Sequence, residues 1–566
     1  MKNQTYGVIF NAYPDSCGGT LRDIVNFLKK EEIKEAFQCF YILPSLFHSD
    51  LDRGFSVIDY DLNEELASER ELEELHKIGI ELKLDIVLNH LSVNSSQFKD
   101  CVRNGDKSVY KDFFIDWNDF WKVSGEMTEE GYIRPYQKYL DKMFFRKPGL
   151  PILMVQGNDG IKRVFWNTFY QKKIYSSPEK KKIAELVTNT NCDVEKLYAS
   201  IGRQLSEGKT PKEMQTDIAP DIWQKIENYM EENCQYLGQV DLNVESLKVW
   251  EYYDTVLEKL AKYGAGIVRL DAFAYVSKKV GKQNFLNEPE TWEILARVNE
   301  MAQKYGIQLL PEIHASYQEK TYETISQKGY MVYDFFLPGL LLEAFENKNG
   351  EKLKKWIAEL TDKKIETVHM LGCHDGIPLL DLKGLLTDEE IEELKEILLA
   401  RGGYIKNLHG QKNVYYQVNA TYYSALGEND RKMIMARAIQ IFMPGRPQVW
   451  YLDLFAGKND YAAVKKAGVD GHKEINRTNI SKDEIEKLLQ HEVTKKQLEL
   501  LHFRNNFPAF SKKAGITQSG KANILNITWD YQGYRAALSA DFATNTFEIY
   551  GKDPKNNTLF EMSQKE

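Results

Sequence analysis

The chain of 566 residues predicts an α/β fold: a closed (β/α)8 TIM barrel with two inserted lobes and a small C-terminal all-β domain. Three observations predict it. Eight short runs rich in β-branched and aromatic residues recur along the sequence, helical patterns separate most of them, and the pattern changes to closely spaced strands and turns after Phe510. The length agrees, because a single hydrophobic core stops growing near roughly 250–300 residues.

The runs are Tyr6–Tyr13, Gln38–Phe47, Lys83–His90, Gly266–Ala272, Gln308–Ile313, Met331–Leu337, Glu366–Cys373 and Gln448–Leu452. Between them, Thr20–Lys30, Glu71–Gly79 and Ser246–Tyr263 carry apolar residues at helical spacing; Leu247, Trp250, Tyr253, Leu257 and Leu260 show it well. Strands alternating with helices imply a parallel sheet with right-handed crossovers, and eight strands imply closure. The barrel is assigned to 1–89, 240–376 and 430–507. Far more residues separate the third and fourth runs than one helix needs, so a lobe is placed at 90–239, including a polar, helical stretch over 172–236. A second lobe is placed at 377–429, on the acceptor side of the site described below, and the β domain at 508–566, with short strands at Ile524–Asp530 and within Tyr534–Tyr550.

Composition excludes several classes of function. A net charge of −9 and a single short basic run, Lys180–Lys182, argue against nucleic acid as a partner. No segment approaches the roughly 18 apolar residues of a membrane span, and Met1–Tyr13 lacks the pattern of an export leader. The six cysteines have neither metal-site spacing nor disulfide density, which points to reduced thiols, a cytoplasmic protein and no metal site. Aromatic residues reach 12%, enough to supply a core and also rings that stack on sugars.

Barrel enzymes place their chemistry at the C-terminal ends of strands. There the third run ends in Asn89-His90, the fourth carries Arg269 and Asp271, the fifth carries Glu312 and His314, and the seventh ends in His374-Asp375. Asp271, Glu312 and Asp375 would converge across the barrel mouth, although 41 and 63 residues separate them. Unequal carboxylates are what glycosyl transfer needs, one ionised to attack and one protonated to donate. Arg269 shares a strand face with Asp271 and is expected to keep it ionised, whereas desolvation is expected to raise the pKa of Glu312. An Arg–Asp pair inside a barrel also has a purely structural use, and His90 and His374, taken alone, are more often satisfied polar residues than ligands. A metal site is disfavoured because no element carries two ligands at short spacing.

These residues, with Asp59, resemble the signature regions of the α-amylase family of retaining glycosidases and transglycosidases. The longer strings GIVRLDAFAYVSKKVG, LLPEIHASY, CHDGIPLLDLKGLL, VNATYYSALGEND, GRPQVWYLDLFAGKND and EINR are similar to the sucrose phosphorylase subfamily, from about Tyr6 to Phe510 apart from 172–236. The resemblance implies that Asp271 is the nucleophile, Glu312 the acid/base and Asp375 the carboxylate over the sugar ring, with Arg269 orienting the nucleophile. It implies that Asp52, His90, His374 and Arg477 grip the glucosyl hydroxyls and that Phe55 packs on the sugar. Phe169, Gln239, Tyr275, His314, Tyr416 and Gln417 then line the acceptor side, and Arg146, Lys147, Tyr275 and His314 are candidates to hold phosphate. The implied reaction is sucrose plus phosphate to α-D-glucose 1-phosphate plus fructose, with no metal or organic cofactor, in a monomer or homodimer whose partners are small molecules.

The acceptor side departs from the family pattern. Lys412–Gln417 lacks the Asp that usually precedes the Tyr-Gln pair, and Arg146-Lys147 resembles the sucrose 6′-phosphate phosphorylase branch, as does Met370–Pro378. Tyr416 stands where that branch tends to have His. Sucrose is therefore the first expectation, with sucrose 6′-phosphate and a glucosylglycerol-type glucoside as alternatives, and a plain hydrolase of the family as the competing activity. The 172–236 stretch is either a surface decoration or a wall of the acceptor site and dimer contact.

Overall fold

The computed structural model describes residues 7–147, 149–169, 171–188, 192–407, 415–468 and 471–565; the side chains at 406, 407, 415 and 416 are outside that description. Eight parallel strands form the barrel wall: Ile9–Ala12, Cys39–Ile42, Glu81–Val87, Ala265–Asp271, Gln308–Pro311, Val332–Asp334, Thr367–Met370 and Arg446–Trp450. The hydrogen-bonded order is fifth, fourth, third, second, first, eighth, seventh, sixth. The fifth and sixth strands, which end this ladder, lie side by side and complete the circle. Each strand overlaps one of the apolar runs, and the eighth starts two residues before its run because Arg446 already pairs with Val368.

The strands are buried on both faces, which is why they read as continuous apolar runs rather than alternating ones. The exceptions form a polar column inside the barrel. Lys83 is fully buried; its ammonium donates to the Tyr333 hydroxyl at 2.5 Å and to Gln448 at 2.6 Å. Asp85 lies two residues further along the same strand, on the same face, and the ladder sets it beside Arg269. A buried charge is tolerable only with partners, and here Lys83 is held by Tyr333 and Gln448 while Asp85 pairs with Arg269.

Between the third and fourth strands the chain forms the first lobe. His90–Ser92 pairs with Gln235–Asp241, which also pairs with Gln171–Ile174. The strand Gln235–Asp241 spans position 240, and the next barrel helix, Leu247–Lys262, follows it. A hairpin of Ile152–Gln156 and Lys162–Trp166 packs with Trp117 and Trp121 into a small separate core. The polar stretch is helical over Lys180–Leu186, Val194–Ser206 and Pro220–Glu232, but its two ends are strands, because Ile174 pairs with Gln235. Its helices bury Ile183, Leu197, Ile201, Ile226 and Met230 in a core of their own.

After the seventh strand, Ile377–Pro378, Tyr404–Asn407 and Tyr415–Asn419 form a three-stranded sheet, with the helix Asp388–Ala400 opened by a Thr387–Glu390 capping box. The C-terminal strands Gly515–Ser519, Ile524–Tyr531, Tyr534–Asp541, Thr546–Lys552 and Thr558–Gln564 form an antiparallel meander. The Trp529 indole donates to the Phe442 carbonyl at 2.8 Å and Phe560 stacks on Phe503 at 3.9 Å, which fixes the meander to the barrel's helices. No helix among the described residues is long and apolar enough to cross a membrane.

Candidate active site

A cavity of about 450 Å³ opens at the C-terminal end of the barrel. Asp271, Glu312 and Asp375 all line it, so the closed sheet does bring the three distant carboxylates together. The strand holding Asp271 is followed by Ala272 at φ 51°, a left-handed conformation that costs a non-glycine residue about 1 kcal/mol. That turn aims the Ala272 amide at Glu312, whose Oε2 accepts from it at 3.2 Å.

Arg269 is the hub beneath the cavity. Its Nη1 lies 2.7 Å from Asp85 and 2.8 Å from Asp271, and its Nη2 lies 2.7 Å from Glu312. Asp85 is in turn held by the Tyr41 hydroxyl at 2.8 Å. Arg269 therefore holds Glu312 and Asp85 as well as Asp271. Burial pushes the Asp271 carboxyl well above the usual range, and the shared guanidinium does not overcome it. Burial would raise Glu312 as well, but Arg269 and His314 outweigh it and hold that carboxyl down at about 2. The two carboxyls share one guanidinium, so they titrate as a pair rather than as independent acids.

The opposite wall carries the sugar-binding candidates. Asp52, Phe55, His90 and His374 line the cavity. Asp52 and Arg53 both have positive φ, and Gly54 is required because a β-carbon there would sit 2.1 Å from the Ser45 amide nitrogen. This tight turn presents Asp52 and stacks Phe55 on His374 at 5.0 Å and 12°. His90 is fully buried with its pKa pushed down to about 4, so it is neutral, and its Nε2 donates to the Phe55 carbonyl at 3.1 Å. Asp375 is raised by burial, but His374, Lys473 and Arg477 outweigh that and hold it well below the usual carboxylate range.

Arg477 is 2% exposed and is not among the cavity-lining residues. It lies 3.6 Å from Asp52 and 3.8 Å from Asp375, and its Nε donates to the His374 carbonyl at 2.9 Å. The cation that fronts the cavity here is Lys473, 3.1 Å from Asp375 and 3.4 Å from Asp52. Sequence reasoning stopped at the Glu474–Arg477 string and missed it; its position four residues before Arg477 was the available signal. Gln417 lines the cavity, and its amide donates at 2.5 Å to the Asp375 carbonyl, as does Asn419.

On the acceptor side, Arg146, Phe169, Gln239, Tyr275 and His314 line the cavity as expected. The Arg146 guanidinium lies over the Phe169 and Tyr275 rings at 5.5 and 5.8 Å and hydrogen-bonds Tyr275. Phe144 and Phe285 extend this aromatic wall against Tyr275, with no sequence signal to announce them. Lys147 is a correction: it does not line the cavity, and its ammonium donates instead to Asn167, whose amide donates to the Gln239 carbonyl. Burial there pushes its pKa down to about 8. The Tyr416 side chain and residues 412–414 lie outside the described residues. Among the described residues none of 172–236 lines the cavity. Among the described residues no group of His, Cys, Asp and Glu is arranged to hold a metal ion.

No family model matches the chain. A sucrose 6(F)-phosphate phosphorylase of Ilumatobacter coccineus is 47% identical over 551 residues, covering 96% of this chain and 95% of the relative. A sucrose phosphorylase of Streptococcus mutans is 31% identical over 504 residues, covering 88% of this chain and 87% of the relative. The crystal structure of sucrose 6F-phosphate phosphorylase from Thermoanaerobacter thermosaccharolyticum superposes with a TM-score of 0.80 at 30% identity, covering 99% of this chain and 97% of that one.

Proposed function

The chain belongs to the sucrose phosphorylase branch of the α-amylase family, and from that premise we propose that it moves the glucosyl group of a sucrose-type disaccharide onto inorganic phosphate with retention. One observation carries the reading: two carboxylates, Asp271 and Glu312, share one guanidinium at the cavity floor, with His314 and the Arg146 guanidinium on the acceptor side. Asp271 attacks the anomeric carbon while Glu312 protonates the glycosidic oxygen, and the ketose leaves a β-glucosyl ester on Asp271. Phosphate then attacks the ester from the opposite face with Glu312 as base, giving α-D-glucose 1-phosphate. Asp375 and Asp52, held by Lys473 and Arg477, accept from sugar hydroxyls, and Phe55 with His374 forms the platform beneath the ring.

For the ketose, support moves from free fructose toward fructose 6-phosphate. The relative at 47% identity is a sucrose 6(F)-phosphate phosphorylase, and Arg146 and Lys383 both line the cavity. Sucrose remains the second reading, since relatives at about 30% identity act on it by name and Lys383 is already paired with Asp388 at 3.2 Å. Incubation with each sugar, with and without phosphate, tests the proposal. Ketose release that requires phosphate supports it; release at the same rate without phosphate makes the enzyme a hydrolase. The six unpaired cysteines support a cytoplasmic location, and a monomer or homodimer is proposed with it.

A further inference from the structure

We propose that Asp381 is a positioning residue for the acceptor: it holds His314 as an imidazolium turned toward Glu312, so that phosphate rather than water meets the glucosyl intermediate. This rests on the phosphorolytic reading above. Asp381 lies in the lobe after the seventh strand, is 2% exposed, and lines the cavity with His314. Its two oxygens lie 3.1 and 3.3 Å from Nδ1 of His314. On the other side of the ring, Nε2 of His314 lies 3.6 Å from Oε1 of Glu312. Phe335 stacks on the imidazole at 3.9 Å and 23°, which fixes the plane of the ring.

An imidazole with a carboxylate facing each nitrogen suits both acids only as the cation, donating from Nδ1 to Asp381 and pairing through Nε2 with Glu312. A neutral ring would turn a lone pair toward one of the two acids. The charged groups around it are Asp381 from the second lobe, Glu312 from its own segment, Arg269 behind Glu312, and Lys383, which pairs with Asp388; Tyr333 lies behind Phe335. Burial alone would lower the His314 pKa, but Asp381 and Glu312 outweigh it and push it up to about 10. A group raised in this way keeps its charge through neutral pH and loses it only as pH rises through that value. Phosphate needs such a donor beside the acid/base and water does not, so Asp381 bears on the choice between the two nucleophiles.

The test is Asp381→Asn in the full-length enzyme, measuring phosphorolysis and hydrolysis of the same disaccharide. The inference expects KM for phosphate to rise about tenfold at pH 7.5 while turnover onto water stays within about twofold. It also expects the alkaline limb of phosphorolysis to move about one pH unit or more toward acid; the ionisation of phosphate is common to both proteins and cancels. Asp381→Glu should restore much of the phosphate affinity. An unchanged phosphate KM, or equal losses in both reactions, overturns it. If Asp381→Asn does not fold, NMR titration of the wild-type His314 ring decides, with His314→Gln for assignment: a pKa near 6.5 contradicts the inference. Wild-type turnover indifferent to phosphate would instead refute the phosphorylase reading itself.

Discussion

Nη2 of Arg269 lies 2.7 Å from Oε1 of Glu312, so the guanidinium that holds the proposed nucleophile also holds the proposed acid. Both carboxylates are buried, and with Asp85 they form three acids around one Arg. Two neighbouring buried acids favour a single shared proton, and the position of that proton decides which group attacks and which donates.

Replacing Arg269 by Lys keeps the charge but cannot bridge two carboxylates with a planar fork. The expected result is a loss of about a hundredfold or more in kcat, with binding of the intact disaccharide changed much less. Steady-state kinetics beside a calorimetric binding measurement separate the two. A kcat within a few-fold of wild type would mean the bridge is structural only.

Lys473→Met removes the cation between Asp52 and Asp375 and leaves Arg477 behind them. Two like charges then face the sugar with less neutralisation, and KM for the disaccharide should rise about tenfold. Phosphate KM should stay unchanged, since Lys473 pairs with the proposed sugar-binding acids Asp52 and Asp375. A rise in phosphate KM with no effect on the disaccharide would place Lys473 on the acceptor side.

Arg146 and Lys147 are neighbours in sequence with different surroundings. Arg146→Ala should change the preference between sucrose and sucrose 6′-phosphate by about tenfold, reading the charge that Arg146 offers the ketose. Lys147→Met should leave that preference alone, because its ammonium is bound to Asn167 outside the cavity. Competition between the two sugars measures both variants.

The helices over 180–232 hang from a two-stranded ribbon in which Ile174 faces Gln235. Excising 176–233 and closing the ribbon with an Asn-Gly turn should give a folded enzyme with unchanged sugar preference. Size-exclusion chromatography of the two forms then reads whether the excised helices carry a dimer contact.

The barrel was legible because its strands are buried on both faces and its connections obey the strand–helix alternation. The three carboxylates were legible because strand ends concentrate chemistry and because Arg269 and Asp271 share a face two residues apart. What eluded the sequence was the partnership of each charge. Nothing in the spacing shows that Arg269 reaches Glu312 across the barrel, that Asp381 returns to His314, or that Lys147 turns to Asn167 while Arg146 faces the cavity. Those contacts join segments far apart in the chain, and only closure of the fold sets their distances. The ends of the 172–236 stretch were read as helix because a polar, Lys-rich sequence has no alternation to mark its two short strands.

The anomeric configuration of the first-formed sugar phosphate tests the central claim most directly. Proton NMR of a reaction with sucrose 6′-phosphate and inorganic phosphate, recorded within the first turnovers, should show α-D-glucose 1-phosphate accumulating with the released ketose phosphate. The β-anomer, or free glucose formed at a rate independent of phosphate, would contradict the account.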